Sequence, residues 1–194
     1  MSDITAVPLR PVGKSGVVAL WVGIALALTA GIGGGVYAST AARRNAVASP
    51  ALAKLPATAF LAANGKRRNV KTTPSGLEYQ VIKPGAGPTP GPGDVALVDY
   101  RGALTDGTEF DASKPGQPVP MPLARVVPGF AEALMLMPKG AVYRVWLPPE
   151  RAYGSDDQRD DTGKVVIPGN SVLVFDITMH QFQPMPSGMP APGM

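Results

Sequence analysis

The stretch "VDYRGALTDGTEFDAS", residues 98–113, carries an Asp-Gly pair between two segments that contain aromatic and β-branched residues. Asp106-Gly107 is a strong signal for a two-residue hairpin loop, since both positions of the favoured turn require positive φ. The segments on either side are therefore predicted to form two adjacent antiparallel strands. Such a hairpin carries one Tyr, one Phe and a conspicuous Asp around a tight turn.

The register of this hairpin predicts which side chains meet. Counting outward from a two-residue loop pairs Ala103 with Phe110. The next pair is Gly102 with Asp111, and Tyr100 then lies diagonal to the carboxylate on the same face. Because Gly102 leaves space, the Tyr100 hydroxyl can reach Asp111. Strict alternation turns Phe110 to the other face, so a pocket that uses both Phe110 and Asp111 requires a twist or bulge.

Further stretches on both sides of the hairpin show the β-branched and aromatic enrichment of strands. They are "GLEYQVI" (76–82), "DVALVDYRGAL" (94–104), "TEFDAS" (108–113), "AVYRVWLP" (141–148) and "SVLVFDITMHQF" (171–182). A convincing helical pattern occurs in "GFAEALMLM" (129–137), which Pro138 and Gly140 close. The pattern predicts an α+β domain in which a curved antiparallel sheet wraps over one short α-helix.

Composition excludes most familiar catalytic centres. The chain has 194 residues, no Cys and 1 His, which rules out disulfides, thiolate nucleophiles and a multi-His metal site within one chain. We expect neither a metal nor a cofactor. Residues 1–70 hold 8 basic and 1 acidic residues, whereas residues 71–194 hold 10 basic and 13 acidic ones. Because the predicted domain is net acidic, a nucleic-acid partner is not expected.

The N-terminal region contains a long apolar run. Residues 16–42 include no charged residue, and this run is long enough to cross a bilayer core, which needs about 20 apolar residues. Residues 16–38 are therefore predicted to be a transmembrane anchor or a signal helix. The length of the run favours an anchor, but "VYA" ending at Ala38 also fits a cleavage site. Basic residues precede the run and also follow it at Arg43 and Arg44, so charge alone leaves the orientation open.

The remaining segments divide the chain. We expect an N-terminal tail at 1–15, a linker with a short helix at 39–70, the folded domain at 71–183 and a disordered Pro/Met-rich tail at 184–194. The short helix is placed in "PATAFLAANG", residues 56–65, and either packs on the domain or leads into it. The tail has too much Pro and Gly, and too little hydrophobic periodicity, to join a core.

A series of motifs in order identifies a resemblance. The chain resembles FKBP-type peptidyl-prolyl isomerases in the order of five segments: "TTPSGLEYQVIKPGAG", the hairpin, "VVPGFAEALMLMPKG", "LPPERAYG" and "VIPGNSVLVFDI". The first segment is similar to the one that precedes the domain in exported bacterial members of this family. The resemblance covers about residues 71–182. It implies a shallow apolar pocket between sheet and helix. The implied catalytic residues are Tyr100, Phe110, Asp111, Phe130, Tyr153 and Phe175, and the implied substrate-binding residues are Val126, Val127 and Ile167.

Prolyl isomerisation suits so small a set of reactive groups. Rotation about an X-Pro bond crosses a barrier of about 18–20 kcal/mol but breaks no covalent bond, so no nucleophile is required. An apolar pocket can favour the twisted imide by removing water from its carbonyl. The resemblance implies Phe130 as the floor, and a Val127 N–H and a Tyr153 hydroxyl that hold carbonyl groups. Asp111, steadied by Tyr100, would polarise the opposite side.

Several positions depart from the family pattern. Phe130 stands where a Trp is usual, and Val119 stands where many members have an aromatic residue at the pocket rim. The acidic loop at 155–164 is longer than in minimal members, and its Asp spacing does not match a calcium loop, so a solvated loop is expected. His180 is expected to be a surface or packing residue.

These departures leave alternatives open. The first hypothesis is an isomerase that acts on proline-containing clients in the cell envelope and binds macrolide inhibitors. The alternative is a non-catalytic binding module or holdase chaperone with the same pocket, and a third is a structural envelope protein with a vestigial site. We expect an inner-membrane anchor with the domain in the periplasm, or a periplasmic or secreted protein after cleavage. The oligomeric state is left open.

Overall fold

A computed structural model describes residues 50–184 of the protein. Within this range the helices are α1 (Pro50–Ala53), α2 (Ala57–Asn64) and α3 (Pro128–Met135), and 3-10 helices span Leu123–Arg125 and Pro149–Arg151. The strands are β1 (Val70–Thr72), β2 (Glu78–Lys83), β3 (Asp94–Leu104), β4 (Glu109–Ala112), β5 (Val119–Pro122), β6 (Val142–Leu147), β7 (Gln158–Arg159), β8 (Val165–Ile167) and β9 (Leu173–Pro184). Each predicted strand segment overlaps a strand, and the helix predicted at 129–137 is α3.

Seven strands form one antiparallel sheet in the order β1-β2-β6-β9-β3-β4, with β5 also paired to β3. Strands β4 and β5 both pair with the same edge of β3 because this strand is 11 residues long. Its first half pairs with β5 and its second half with β4. β7 and β8 form a separate two-stranded ribbon within the segment that contains the acidic loop. The predicted antiparallel sheet with few helices is confirmed.

One face of the sheet packs against α3. Alternate residues of a strand point to opposite faces, and Val145 and Leu147 of β6 both lie in the main core with Leu134 of α3. Leu134 and Val145 are fully buried. Pro128 occupies the first turn of α3, where its missing N–H costs no helical hydrogen bond. The helix therefore begins directly at the sheet's covered face, which positions Phe130 against the strands.

The opposite face of the sheet is covered in part by α2. Phe60 of this helix is fully buried in a second cluster with Trp146, Val172 and Val174. Trp146 lies between Val145 and Leu147 in β6, so its side chain emerges on the other face. The helix predicted within residues 56–65 thus forms and packs on the sheet.

A polar contact also joins α2 to the sheet. The Asn64 side-chain amide donates to the Glu78 carboxylate at 2.7 Å, and both residues are buried. Burial raises the pKa of Glu78, although the hydrogen bond from Asn64 opposes this shift. Because Gly65 has no side chain, the carboxylate can approach the end of the helix, where a Cβ would lie 2.7 Å from Glu78 Oε1.

The hairpin turn differs from the predicted two-residue loop. The Leu104 N–H donates to the Thr108 carbonyl at 2.8 Å, and the Gly107 N–H donates to the Leu104 carbonyl at 2.9 Å. Gly107 has a φ of 92°, whereas Asp106 does not have a positive φ. The loop therefore contains three residues, with one left-handed Gly after a tight turn, a geometry that needs positive φ only once.

The register confirms one predicted pair and corrects the other. Gly102 lies opposite Asp111 as predicted, but Ala103 lies opposite Glu109 and not opposite Phe110. The longer loop shifts the register by one residue, and a bulge between the two pairs leaves Phe110 as the extra residue of β4. This is the irregularity that a site containing both Phe110 and Asp111 requires.

The two ends of the chain lie outside the described residues. The predicted anchor or signal segment at 16–38 and the tail from residue 185 onward are among them. In residues 50–184 no helix is long and apolar enough to cross a membrane. β9 includes Pro184, the first residue of the predicted tail.

Candidate active site

The centre of the candidate site is a hydrogen bond between two neighbouring strands. The Tyr100 hydroxyl of β3 donates to Asp111 Oδ2 of β4 at 2.7 Å. Burial raises the pKa of Asp111, although hydrogen bonds from the Tyr100 hydroxyl and the Ala112 N–H oppose this shift. Burial, the bond to Asp111 and that carboxylate's charge raise the pKa of Tyr100, so the phenol stays protonated and donates. The predicted contact between Tyr100 and Asp111, for which Gly102 leaves space, is therefore present.

Four aromatic rings form a continuous cluster beside this bond. Phe130, only 4% exposed, contacts the Phe175 ring at a centroid distance of 4.9 Å and an interplanar angle of 69°. The Tyr100 ring meets Phe130 edge-on at 6.1 Å, and Phe110 meets Phe175 edge-on at 5.6 Å. These edge-to-face contacts fix the relative orientation of rings from β3, β4, α3 and β9.

Gly102 is the reason that Phe110 and Phe175 can touch. A Cβ placed on Gly102 would lie 2.8 Å from both rings, which is closer than real Cβ contacts allow. The glycine also pairs with Phe175 on β9 across the sheet. The same residue therefore leaves room for the Tyr100–Asp111 contact and for the ring contact behind it.

The other predicted residues come from three connecting segments. Val126 and Val127 precede α3, and the Val127 carbonyl accepts the Phe130 N–H at 2.9 Å. Tyr153 follows the second 3-10 helix, and Ile167 ends β8. Burial raises the pKa of Tyr153, and the charge of the Asp111 carboxylate adds to this effect.

The nine predicted residues lie in the main hydrophobic cluster or are hydrogen-bonded to it. Eight of them belong to the main hydrophobic cluster, with Phe130, Ile167 and Phe175 buried and the other five partly buried. Asp111 joins the cluster through Tyr100. The result is an apolar aromatic cluster with one carboxylate hydrogen-bonded to it and one further phenol near that carboxylate. Apolar rings of this kind can pack against an apolar ligand ring and exclude water from a polar bond beside it.

Other positions noted in the sequence lie nearby or elsewhere. Val119 of β5 is partly buried against the same cluster. The acidic loop contains β7 and leads into β8, and its Asp160 carboxylate accepts the Thr162 and Lys164 N–H groups. Among residues 50–184 there is no group of three or more His, Asp or Glu side chains that could hold a metal ion. The exposed ring of His180 forms a 2.7 Å contact with Asp99 Oδ2.

Sequence reasoning missed two contacts that support the site. The Ser113 hydroxyl accepts the Tyr100 N–H at 3.1 Å, which ties the end of the hairpin to β3. The Arg151 guanidinium contacts the Glu132 carboxylate at 3.0 Å, which links the segments that carry Tyr153 and Phe130. Residues 132 and 151 are distant in sequence, and no local pattern predicts that they meet.

Comparison with known families identifies two matching regions. Residues 87–180 match the model described as FKBP-type peptidyl-prolyl cis-trans isomerase. Residues 36–81 match the model described as the domain amino terminal to FKBP-type peptidyl-prolyl isomerase. The first region contains all nine residues of the candidate site, and the second contains α2.

Individual relatives agree with these matches. The chain is 46% identical over 121 residues to FKBP-type peptidyl-prolyl cis-trans isomerase FkpA of Aeromonas hydrophila, covering 62% of this chain and 43% of the relative. It is 40% identical over 120 residues to Outer membrane protein MIP of Legionella longbeachae, covering 61% and 49%. The chain thus spans about half the length of these curated relatives.

A solved structure matches this chain over nearly its own full length. The crystal structure of a peptidyl-prolyl cis-trans isomerase from Pseudomonas syringae pv. tomato superposes with a TM-score of 0.61 at 32% sequence identity. The match covers 70% of this chain and 97% of that structure. The similarity therefore includes nearly the whole of that solved chain.

Proposed function

This chain belongs to the FKBP-type peptidyl-prolyl cis-trans isomerase family, and we propose that it accelerates rotation about X-Pro bonds in folding polypeptides. The observation that carries the proposal is the aromatic cluster around Phe130, with the Tyr100–Asp111 hydrogen bond beside it. The residues present offer desolvation and shape, and neither a nucleophile nor a metal is required for amide rotation.

The proposed mechanism begins with the prolyl ring on the apolar surface. Phe130 forms the floor, and Phe110, Ile167 and Phe175 form the walls. The planar imide is stabilised by charge delocalisation, which water supports by hydrogen bonding to the carbonyl oxygen. A site that excludes this water favours the twisted state over the planar ones, and binding that is stronger in the transition state lowers the barrier.

The polar groups at the margin orient the substrate. The backbone N–H of Val127 and the Tyr153 hydroxyl donate to substrate carbonyl groups, and Val126 contributes an apolar contact beside them. The Asp111 carboxylate polarises the opposite side of the cleft, and its hydrogen bond to Tyr100 holds it in place. No proton has to be transferred in the rotation step, so each group acts in one protonation state.

A direct assay tests the function. The purified chain is added to proline peptides with varied preceding residues, and cis-trans exchange is followed by NMR or by a protease-coupled reaction. Acceleration above the uncatalysed rate is expected. Binding of unfolded clients without acceleration would support the holdase alternative, which family membership makes the less favoured of the two. Macrolides such as tacrolimus and rapamycin are the expected inhibitors, since they present an apolar ring to the same surface.

The location proposed for the protein is the cell envelope. Residues 16–38 anchor it in the inner membrane with the domain in the periplasm, or serve as a signal that is removed before a periplasmic or secreted mature form. The apolar run supports an envelope location, as does the name of the Legionella relative, Outer membrane protein MIP. Resistance to carbonate extraction would support the anchor, and a mature N-terminus at Ser39 would support cleavage. Full-length protein in the soluble cytosol would contradict both.

A further inference from the structure

The Glu132 carboxylate connects three separate segments of the chain. It accepts hydrogen bonds from the Thr73 hydroxyl at 2.8 Å and from the Ser75 hydroxyl at 2.7 and 2.8 Å. It also accepts a hydrogen bond from Arg151 Nη2 at 3.0 Å. Thr73 and Ser75 belong to the turn before β2, Glu132 to α3, and Arg151 to the 3-10 helix after β6.

Two of these segments carry opposite parts of the candidate site. Phe130 lies two residues before Glu132 in α3, and Tyr153 lies two residues after Arg151. Gly129 brings the two segments into direct contact, since a Cβ on Gly129 would lie 2.9 Å from the Arg151 carbonyl oxygen. The link between Glu132 and Arg151 therefore spans the floor of the site and one of its hydrogen-bonding groups.

This link is more than an exposed ion pair. The Glu132 side chain is 20% exposed, and the Nε of Arg151 is buried without a hydrogen-bond partner among the described residues. Burial alone would raise the pKa of Glu132, but the hydrogen bonds from Ser75, Thr73 and Arg151 outweigh it and lower the pKa. The carboxylate is thus held in its charged form by several donors at once.

We propose that Glu132 and Arg151 are positioning residues, whose contact sets the placement of Tyr153 relative to Phe130 and thereby the rate of isomerisation. This inference rests on the proposed function. Neither residue touches the substrate. Their effect comes through the two short segments that they join, because a small displacement of a positioned group reduces catalysis strongly.

The test compares Glu132→Gln, Arg151→Gln and the double variant of the full chain with a matched control. Asp176→Asn is the control, because Asp176 forms a partly buried ion pair with Arg144 at 2.6 Å. Asp176 follows Phe175 in β9, so its side chain lies on the face of the sheet away from the site. All proteins are assayed at a temperature at which circular dichroism shows that each of them is folded. Each single variant is expected to lose about threefold to tenfold in kcat/KM, less than the hundredfold that a 1 Å misplacement can cause.

Two further readouts separate positioning from general stabilisation. The double variant is expected to lose no more kcat/KM than the less active of the two single variants, because both substitutions break the same contact. The NMR signals of the Tyr153 ring are expected to shift in the Glu132 and Arg151 variants and to stay unchanged in Asp176→Asn. Arg151→Gln carries the same test if Glu132→Gln does not fold.

Different results would contradict the positioning role of Glu132 and Arg151 and the proposed isomerase activity. Wild-type kcat/KM in folded Glu132→Gln and Arg151→Gln, additive losses in the double variant, or an equal loss in Asp176→Asn would overturn the positioning role. An inactive parent chain would overturn the proposed function and this inference with it.

Discussion

Replacement of Asp111 by Asn tests whether the carboxylate only orients and polarises the substrate. Asn has a similar size and still accepts the Tyr100 hydroxyl, so the 2.7 Å contact changes from a charge-assisted to a neutral hydrogen bond. Hydrogen bonds to charged groups contribute about 1.5–3 kcal/mol and neutral ones about 0.5–1.5 kcal/mol. This difference of about 1 kcal/mol acts in the free protein and in the transition state alike, so by itself it leaves the rate unchanged. The rate falls only through the lost charge that polarises the substrate, and we expect a reduction of tenfold or less, or about 1.4 kcal/mol of barrier at most.

The assay measures catalysed isomerisation of a proline peptide from about pH 5 to pH 8 for the parent and for Asp111→Asn, with circular dichroism confirming the fold. While Asp111 is ionised, the ratio of the two rates is expected to be constant. As the pH falls and Asp111 becomes protonated, its charge is lost in the parent as well. The rate advantage of the parent over Asp111→Asn is then expected to shrink.

Stability supplies an independent measurement on the same pair of proteins. Because burial raises the pKa of Asp111, folding favours its protonated form. This contribution to stability is fully present below the unfolded-state pKa of about 3.9 and is lost as the pH rises through the folded-state value. The free energy of unfolding of the parent, relative to Asp111→Asn, is therefore expected to be higher near pH 3 than near pH 7.

Complete loss of catalysis in a folded Asn variant, together with a steep pH profile in the parent, would refute the desolvation mechanism. That combination is the signature of a general acid or base, whose protonation state controls the rate. A relative stability that rises between pH 3 and pH 7 would contradict the account of Asp111 as a desolvated carboxylate.

The remaining predictions concern packing around the site. Phe130→Trp is expected to fold and to preserve or tighten tacrolimus binding, measured by calorimetry; a misfolded product would argue against an open surface beside Phe130. Gly102→Ala is expected to lower the free energy of unfolding by about 1–3 kcal/mol and to weaken the same binding, because its Cβ would push the adjacent rings apart. Phe60→Ala is expected to cost about 3–5 kcal/mol in urea unfolding but to leave kcat/KM unchanged, with exposed Leu55→Ala as control. An unchanged stability of Phe60→Ala would show that α2 is not docked in solution.

Local sequence was enough to predict the elements that present the site. β3 occupies residues 94–104, as its enrichment in β-branched and aromatic residues predicts, and α3 agrees with the predicted helix within about two residues. These elements follow from backbone propensity and side-chain period, which depend on neighbouring residues alone. The contact between Tyr100 and Asp111 was also predicted within one hairpin, and the pairing of Gly102 with Asp111 behind it is kept because the bulge offsets the longer loop.

Ordered motifs carried the prediction beyond local structure. Phe130, Tyr153 and Phe175 come from three elements far apart in the chain, and no periodicity within one element indicates that they meet. Their assignment rested on the resemblance of several motifs to one family, and the structure does bring them into one cluster. Their roles in catalysis stay predictions until the variants are measured.

Only the tertiary structure decided how the predicted elements fit together. Whether the loop holds two or three residues depends on how β3 and β4 pair over their length, so the bulge at Phe110 was not predictable from the turn signal alone. The contact of Phe60 with Trp146 and that of Glu132 with Arg151 were likewise not predictable from local sequence. Each joins residues distant in sequence, and such contacts depend on the free energy of the whole packed domain, which no local pattern contains.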